Sequence, residues 1–336
     1  MLYSIARPLL FTQDPEKSHH LVLNGINTKL GASLTRMMVG KVPNKPRTVM
    51  GIEFPNPVGL AAGLDKNGEY INGLANMGFG FIEIGTITPR PQQGNPKPRL
   101  FRIPQAKGVI NRMGFNNHGV DKLIGNVQQA NYNGILGINL GKNATTPLEN
   151  ALDDYIMGLL RVYAHADYLV VNISSPNTKD LRQLQHGDEL DNLLRGLKQA
   201  HEQASQQYDK YVPLAVKIAP DMDEEALKQV ADKLLQHKID AVIATNTTIA
   251  RDKVSQYRHG EEQGGLSGAP LTERATQVVW QLKQILQDDM PIIAAGGIMT
   301  PSDAKEKLQV GASLVQVYSG LIYYGPTLVR DIVQEI

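Results

Sequence analysis

Ser175, Asn177 and Thr178 follow a run of strand-favouring residues, Tyr168 to Ile173, that breaks into Ser-Ser-Pro-Asn-Thr. A buried strand ending in a cluster of hydrogen-bonding side chains is expected there. An ordinary Asx or Ser turn would give the same local composition. Chemistry enters through the hydroxyl of Ser175, the one side chain of the cluster able to take a proton. A serine hydroxyl is a feeble base, so it needs a relay through Thr178 or a water and a substrate whose acidity rises as a hydride leaves. The amides of Asn111, Asn172, Asn177 and Asn246 both donate and accept, which suits a flat ring with alternating N–H and C=O edges, such as a pyrimidine.

Two lysines extend the pattern. Lys217 sits in Ala-Val-Lys-Ile-Ala-Pro, and a charge inside an apolar strand is costly unless an anion meets it. Its partner is either a buried carboxylate or a flavin ring that gains negative charge on reduction. Lys66, in Gly-Leu-Asp-Lys-Asn-Gly, either pairs with a substrate carboxylate or is a solvated loop lysine. Gly296-Gly297, Ser319-Gly320 and the upstream Gly264 to Gly268 stretch let backbone N–H groups approach a phosphate closely, although tight turns use the same residues. His19 and His20 are the histidines nearest this group, and surface positions are the ordinary reading for both.

These residues need elements that bring them together. Eight short apolar runs alternate with segments long enough for helices: Pro57 to Leu60, Phe81 to Gly85, Ile135 to Leu140, Tyr168 to Ile173, Leu214 to Ile218, Ala241 to Ala244, Pro291 to Ala295 and Leu314 to Val317. That alternation predicts an α/β fold, a (β/α)8 TIM barrel. Each run ends in small or polar residues, among them Ala62, Thr86, Asn139, Asn172, Thr245, Gly297, Tyr318 and Ser319. In such barrels the carboxyl ends of the strands form the active mouth, so the set converges. The segments Glu224 to Lys238 and Thr272 to Leu286 carry helical patterns.

A leader precedes the barrel. Asp14-Pro15 can cap a helix carrying Leu21, Val22, Ile26 and Leu30, and after Gly31 a second short segment offers Leu34, Met37 and Met38. Residues 1–47 hold seven basic and two acidic side chains, a net +5, which leaves −4 on residues 48–336 of a chain whose formal charge is +1. This small N-terminal helical extension is either a pair packed on the body or an element dipping into a lipid interface. Lys41 to Pro46 reads as the linker, and Thr48 to Phe54 as a small hairpin leading into the body.

Composition excludes several classes. The chain has 336 residues and no cysteine, so it holds no disulfide, thiolate metal site, self-ligated iron–sulfur cluster or cysteine nucleophile. No metal site is expected. Near-neutral charge without basic–aromatic runs argues against nucleic acid. No apolar run reaches a bilayer span, and no secretory signal is evident, so a cytoplasmic chain, peripheral at most, is expected.

Taken together, residues 59–66, 80–91, 111–117, 172–178, 244–248, 264–268 and 318–320 resemble the dihydroorotate dehydrogenases over nearly the whole chain. The similarity is to class 2, the quinone-reducing branch with a helical N-terminal extension and a serine base. The resemblance implies oxidation of dihydroorotate to orotate in pyrimidine biosynthesis. It implies FMN contacted by Ala62, Thr86, Asn139, Asn172, Lys217, Thr245, Gly268, Gly297, Tyr318 and Ser319. Lys66 would hold the substrate carboxylate, and Asn111, Asn172, Asn177, Asn246 and Thr247 the ring. Phe115 and the loop from Asn177 to Gln185 would cover it, with Ser175 as base assisted by Thr178. A membrane quinone would enter between the leader helices near His19, Arg102 and Tyr318, at the cytoplasmic side of the cell membrane. No obligate protein partner is evident. The rivals are another FMN barrel, class 1 or tRNA-reducing, both of which use the cysteine missing here, and a non-catalytic barrel that binds a phosphorylated ligand.

Overall fold

The computed structural model describes residues 2–336; Met1 and the side chain of Leu2 lie outside the description. Eight parallel strands close into a barrel: β1 (Val58–Leu60), β2 (Phe81–Ile87), β3 (Ile135–Leu140), β4 (Tyr168–Asn172), β5 (Leu214–Ile218), β6 (Ala241–Ala244), β7 (Ile292–Ala295) and β8 (Leu314–Val317). Each strand pairs with its successor and β8 pairs with β1, so all eight expected runs are barrel strands.

Side chains on a strand alternate between faces, and here the alternation decides what fills the barrel. Leu214, Val216 and Ile218 of β5 pack outward in the main apolar core, while Ala215 and Lys217 point inward. The same parity sends Phe81 and Glu83 of β2, Tyr168 and Val170 of β4 and Leu314 and Gln316 of β8 to the interior. The apolar members lie at the amino-terminal end, where Phe54 meets Phe81 edge-on at 5.1 Å between ring centroids. Phe54 belongs to the expected hairpin, Arg47–Val49 paired with Ile52–Phe54, which seals the barrel floor. The polar members lie toward the carboxyl ends.

A three-stranded antiparallel sheet adds to the expected elements. Leu100–Ile103, Gly108–Asn111 and Gly265–Gly268 assemble from the β2–β3 and β6–β7 connections and stand beside the mouth.

The leader is three helices rather than the expected pair: α1 (Leu2–Thr12), α2 (Pro15–Ile26) and α3 (Lys29–Val39). Asp14 caps α2 as expected, its carboxylate accepting from the backbone of Glu16 and Lys17 at 3.1 and 2.9 Å. Thr28 caps α3, which therefore starts before Gly31. The leader is tied to the body by Glu16, whose buried carboxylate meets Arg99 at 2.7 Å and Lys97 at 3.4 Å. Arg7 donates to the Tyr323 carbonyl, and Arg330 donates to that of Val39. Ile5, Leu9, Leu21, Leu30 and Met37 are each more than 60 % exposed, an apolar surface on the leader's outer side. Among the described residues no helix is long and apolar enough to cross a membrane.

Candidate functional site

One cleft lies over the carboxyl ends of the strands, walled on one side by α2 and on another by the small sheet. Strand ends deliver its floor. Asn172 and Lys217 are register partners across β4 and β5, so their side chains reach the floor side by side, while Asn139 is the register partner of Gly85 across β2 and β3. Thr86 donates to Asn139 Oδ1 at 2.6 Å and accepts from Asn172 Nδ2 at 3.0 Å. Lys217 is buried, and no hydrogen bond or ion pair meets its ammonium among the described residues. Burial pulls its pKa below the usual lysine range, partly offset by the charge of Glu83. The ion-pair alternative for Lys217 is thus reduced to a carboxylate that faces it without contact.

Glycines with positive φ shape one end. A Cβ on Gly297 (φ 71°) would lie 2.3 Å from Thr272 Cα, and one on Gly268 (φ 93°) 2.2 Å from the Lys107 carbonyl oxygen. Any side chain would therefore displace backbone. Ser319 donates to Ser267 at 2.9 Å beside them. Ala62, Thr245 and Tyr318 complete that wall, with burial pushing the Tyr318 hydroxyl up to about 12. A glycine cradle with two serine hydroxyls next to an unmet ammonium and amide donors fits the phosphate and the ring of a flavin nucleotide.

The opposite part of the cleft carries Lys66, Ser175 and a group of amides. Asp65 accepts from the backbone of Glu69 and Tyr70 at 3.0 and 2.7 Å, pinning the loop that presents Lys66. Burial pushes the Asp65 carboxyl up to about 6. Lys66 donates to the Gly63 carbonyl at 2.8 Å, and loss of hydration lowers its pKa to about 8. Asn177 Nδ2 donates to Asn111 Oδ1 at 3.2 Å, joining the loop after β4 to the small sheet. Asn246 Nδ2 donates to Ser174 Oγ at 2.9 Å and to Asn172 Oδ1 at 3.3 Å, while Asn246 Oδ1 accepts from Thr247 N. Ser175 is buried and lines the cleft, its Oγ accepting from the Asn177 backbone at 3.2 Å. Phe115 lines the same space.

The covering loop is held down. Arg182 donates to the carbonyls of Ser174 (3.0 Å) and Thr247 (2.8 Å) and pairs with Asp221 at 2.7 Å, while Gln185 Oε1 accepts from Ala219 N at 2.8 Å.

Three expected site residues do not line the cleft. Asn139 lies beneath it, behind Thr86. Thr178 is buried with its hydroxyl unpartnered and makes no bond to Ser175. Arg102 instead gathers the α1–α2 turn, donating to the Leu10 and Gln13 carbonyls at 3.0 and 2.5 Å and lying 4.6 Å over the Phe11 ring. His19 does line the cleft, and so does His20. Burial, then Lys66 and His20, push the His19 pKa down to about 3, so it is neutral near pH 7. Sequence reasoning misses Glu83, Ser174, Arg182 and Gln316. Glu83 carries a visible signal, a lone charge in Phe-Ile-Glu-Ile, of the kind that singles out Lys217. Among the described residues no cluster could hold a metal ion.

A family model described as dihydroorotate dehydrogenase matches residues 46–336. A Nitrosomonas eutropha protein named dihydroorotate dehydrogenase (quinone) is 58 % identical over 337 residues, covering 99 % of this chain and 96 % of its own. An Acinetobacter baylyi protein of the same name is 56 % identical over 338 residues, with both chains fully covered. A crystal structure of DHODH from Eimeria tenella in complex with ferulenol superimposes with a TM-score of 0.85 at 38 % identity, covering 96 % of this chain and 90 % of that one.

Proposed function

The chain belongs to the dihydroorotate dehydrogenase family, of the quinone-dependent class 2, and from that membership we propose that the cleft oxidises dihydroorotate to orotate with a membrane quinone as final acceptor. The step belongs to pyrimidine biosynthesis. The observation that carries it is the meeting, in one cleft, of an unpartnered buried lysine, a glycine cradle, a ring of amides and a buried serine hydroxyl. FMN is the flavin nucleotide we assign to the glycine cradle and the wall beside it. When bound, it supplies a two-electron acceptor for the hydride leaving substrate C6.

The chain's own residues do the rest. Lys66 holds the substrate carboxylate, and Asn111, Asn177, Asn246 and Thr247 match the donors and acceptors of the ring edge. Ser175 Oγ takes the C5 proton as the hydride departs, and the buried Thr178 hydroxyl passes it outward through water. The closed loop above excludes bulk water, which strengthens the charged contacts beneath it. Ala62, Thr86, Lys217, Thr245, Gly268, Gly297, Tyr318 and Ser319 line the cofactor's place, with Asn139 supporting Thr86 from below.

Residues 1–47 are proposed as a quinone-access and lipid-contact extension, and residues 48–336 as the catalytic barrel. The exposed apolar surface of the leader supports a peripheral seat on the cytoplasmic face of a membrane. His19 faces the cleft from that extension, and Arg102 shapes the passage by fixing the α1–α2 turn.

Purified protein is expected to be yellow, and its flavin to bleach anaerobically on adding dihydroorotate and recover on adding a quinone. A colourless or unresponsive preparation rules the activity out. Lys66 adds a pH signature. Its ammonium is present below about pH 8 and lost above it, so kcat/KM for dihydroorotate should fall up to about tenfold per pH unit on the alkaline side. Lys66→Met should abolish that limb, and an unchanged limb would assign it to another group.

A further inference from the structure

Glu83 is fully buried inside the barrel and has no part in the steps above. Its Oε1 accepts from Asn139 Nδ2 at 2.8 Å, and its Oε2 accepts from Tyr168 OH at 3.1 Å and Gln316 Nε2 at 2.5 Å. Donors from β3, β4 and β8 thus converge on one side chain of β2, and Lys217 of β5 is the nearby positive charge. Burying a carboxylate with neutral partners and a lysine it does not touch is expensive, so the arrangement asks for a use.

We propose that Glu83 is the positioning residue that sets the hydrogen-bond polarity of the amides facing the cofactor and the substrate. A carboxylate only accepts, whereas an asparagine amide can turn either way. Glu83 claims the NH2 of Asn139, which forces Asn139 Oδ1 upward to accept from Thr86 Oγ1 and, at 3.3 Å, from Asn172 Nδ2. With its NH2 spent there and on Thr86, Asn172 must present its carbonyl oxygen to Ser174 and Asn246. Asn246 then donates to that oxygen and accepts from Thr247 N. Glu83 also takes the NH2 of Gln316, a cleft-lining residue whose Oε1 is left with no partner. One anion thereby decides how four cleft-lining side chains, Thr86, Asn172, Asn246 and Gln316, present their donors and acceptors. A glutamine at position 83 would set NH2 against NH2 or release the Asn139 amide to flip.

This inference rests on the flavin and pyrimidine reading of the cleft, and its test separates the two. Four holoproteins are compared: wild type, Glu83→Gln, the Glu83→Gln/Asn139→Asp exchange and Tyr168→Phe. Orotate affinity is read from perturbation of the bound flavin's visible spectrum, and FMN release from fluorescence after dilution. Glu83→Gln should weaken orotate about tenfold or more and speed FMN release by a similar factor. The exchange moves the acceptor-only group to position 139, where it still accepts from Thr86 and Asn172, and should recover orotate affinity to within about threefold of wild type. Tyr168→Phe removes a bond to the same carboxylate without altering polarity, and should bind orotate like wild type even if it melts earlier. Wild-type behaviour of Glu83→Gln, an exchange that recovers nothing or does not fold, or a Tyr168→Phe defect as large as that of Glu83→Gln overturns the proposal. Wild-type protein without flavin or without an orotate-dependent spectrum would overturn the reading of the cleft itself.

Discussion

Ser175→Ala protein is expected to retain its flavin and bind dihydroorotate, yet to reduce that flavin roughly 10²–10⁴-fold more slowly in anaerobic stopped flow. The size of the loss follows from how isolated the hydroxyl is. Ser175 is buried and lines the cleft, and among the described residues the one hydrogen bond to its oxygen comes from the Asn177 backbone N–H, which leaves the oxygen a lone pair to spare. Among the described residues no histidine or carboxylate bonds to it, so the proton has no second acceptor if the oxygen is removed. Alanine keeps the loop's backbone and deletes no contact to the glycine cradle, so cofactor binding should not change. A reduction rate equal to wild type would reject serine as the base.

Removing residues 2–28, and with them α1 and α2, should abolish turnover with quinones and weaken binding to lipid vesicles while leaving reduction of the flavin by dihydroorotate measurable. Two contacts govern that expectation. The deletion takes away His19 and the exposed Ile5, Leu9 and Leu21, hence the leader's access side and half of its exposed large apolar side chains, leaving Leu30, Leu34 and Met37 on α3. It keeps α3, whose buried Val39 is anchored through Arg330 and covers the body. Arg99 loses Glu16 but still donates to the Gln93 and Asn95 carbonyls, so the β2–β3 connection retains part of its support. Full quinone turnover by the shortened protein would refute the role assigned to the leader.

The barrel is legible in the sequence because each strand is a short apolar run closed by small or polar residues, a local signal repeated eight times. Lys217 is legible for a related reason, since a lone charge among the apolar residues of β5 stands out wherever it points. What stays hidden depends on pairing at a distance. The sheet beside the mouth joins Gly108–Asn111 to Gly265–Gly268, segments on different connections whose glycine content reads as turn. Thr28 capping pre-empts Gly31 as the start of α3, and α1 forms although Pro8 lies within it. Arg102 enters only through the resemblance, as a residue near the quinone path; the docked leader shows it spent on the carbonyls of Leu10 and Gln13. Asn139 at its strand end and Thr178 in the loop after β4 carry suitable side chains, yet neither lines the cleft, a matter of depth that spacing does not encode.

Arg182 ties three segments together, the turn after β4, the turn after β6 and Asp221 beyond β5. Lifting the covering loop therefore means breaking two carbonyl bonds and one ion pair together, because a single guanidinium holds all three, so losing the Asp221 pair alone leaves the loop fastened to both turns.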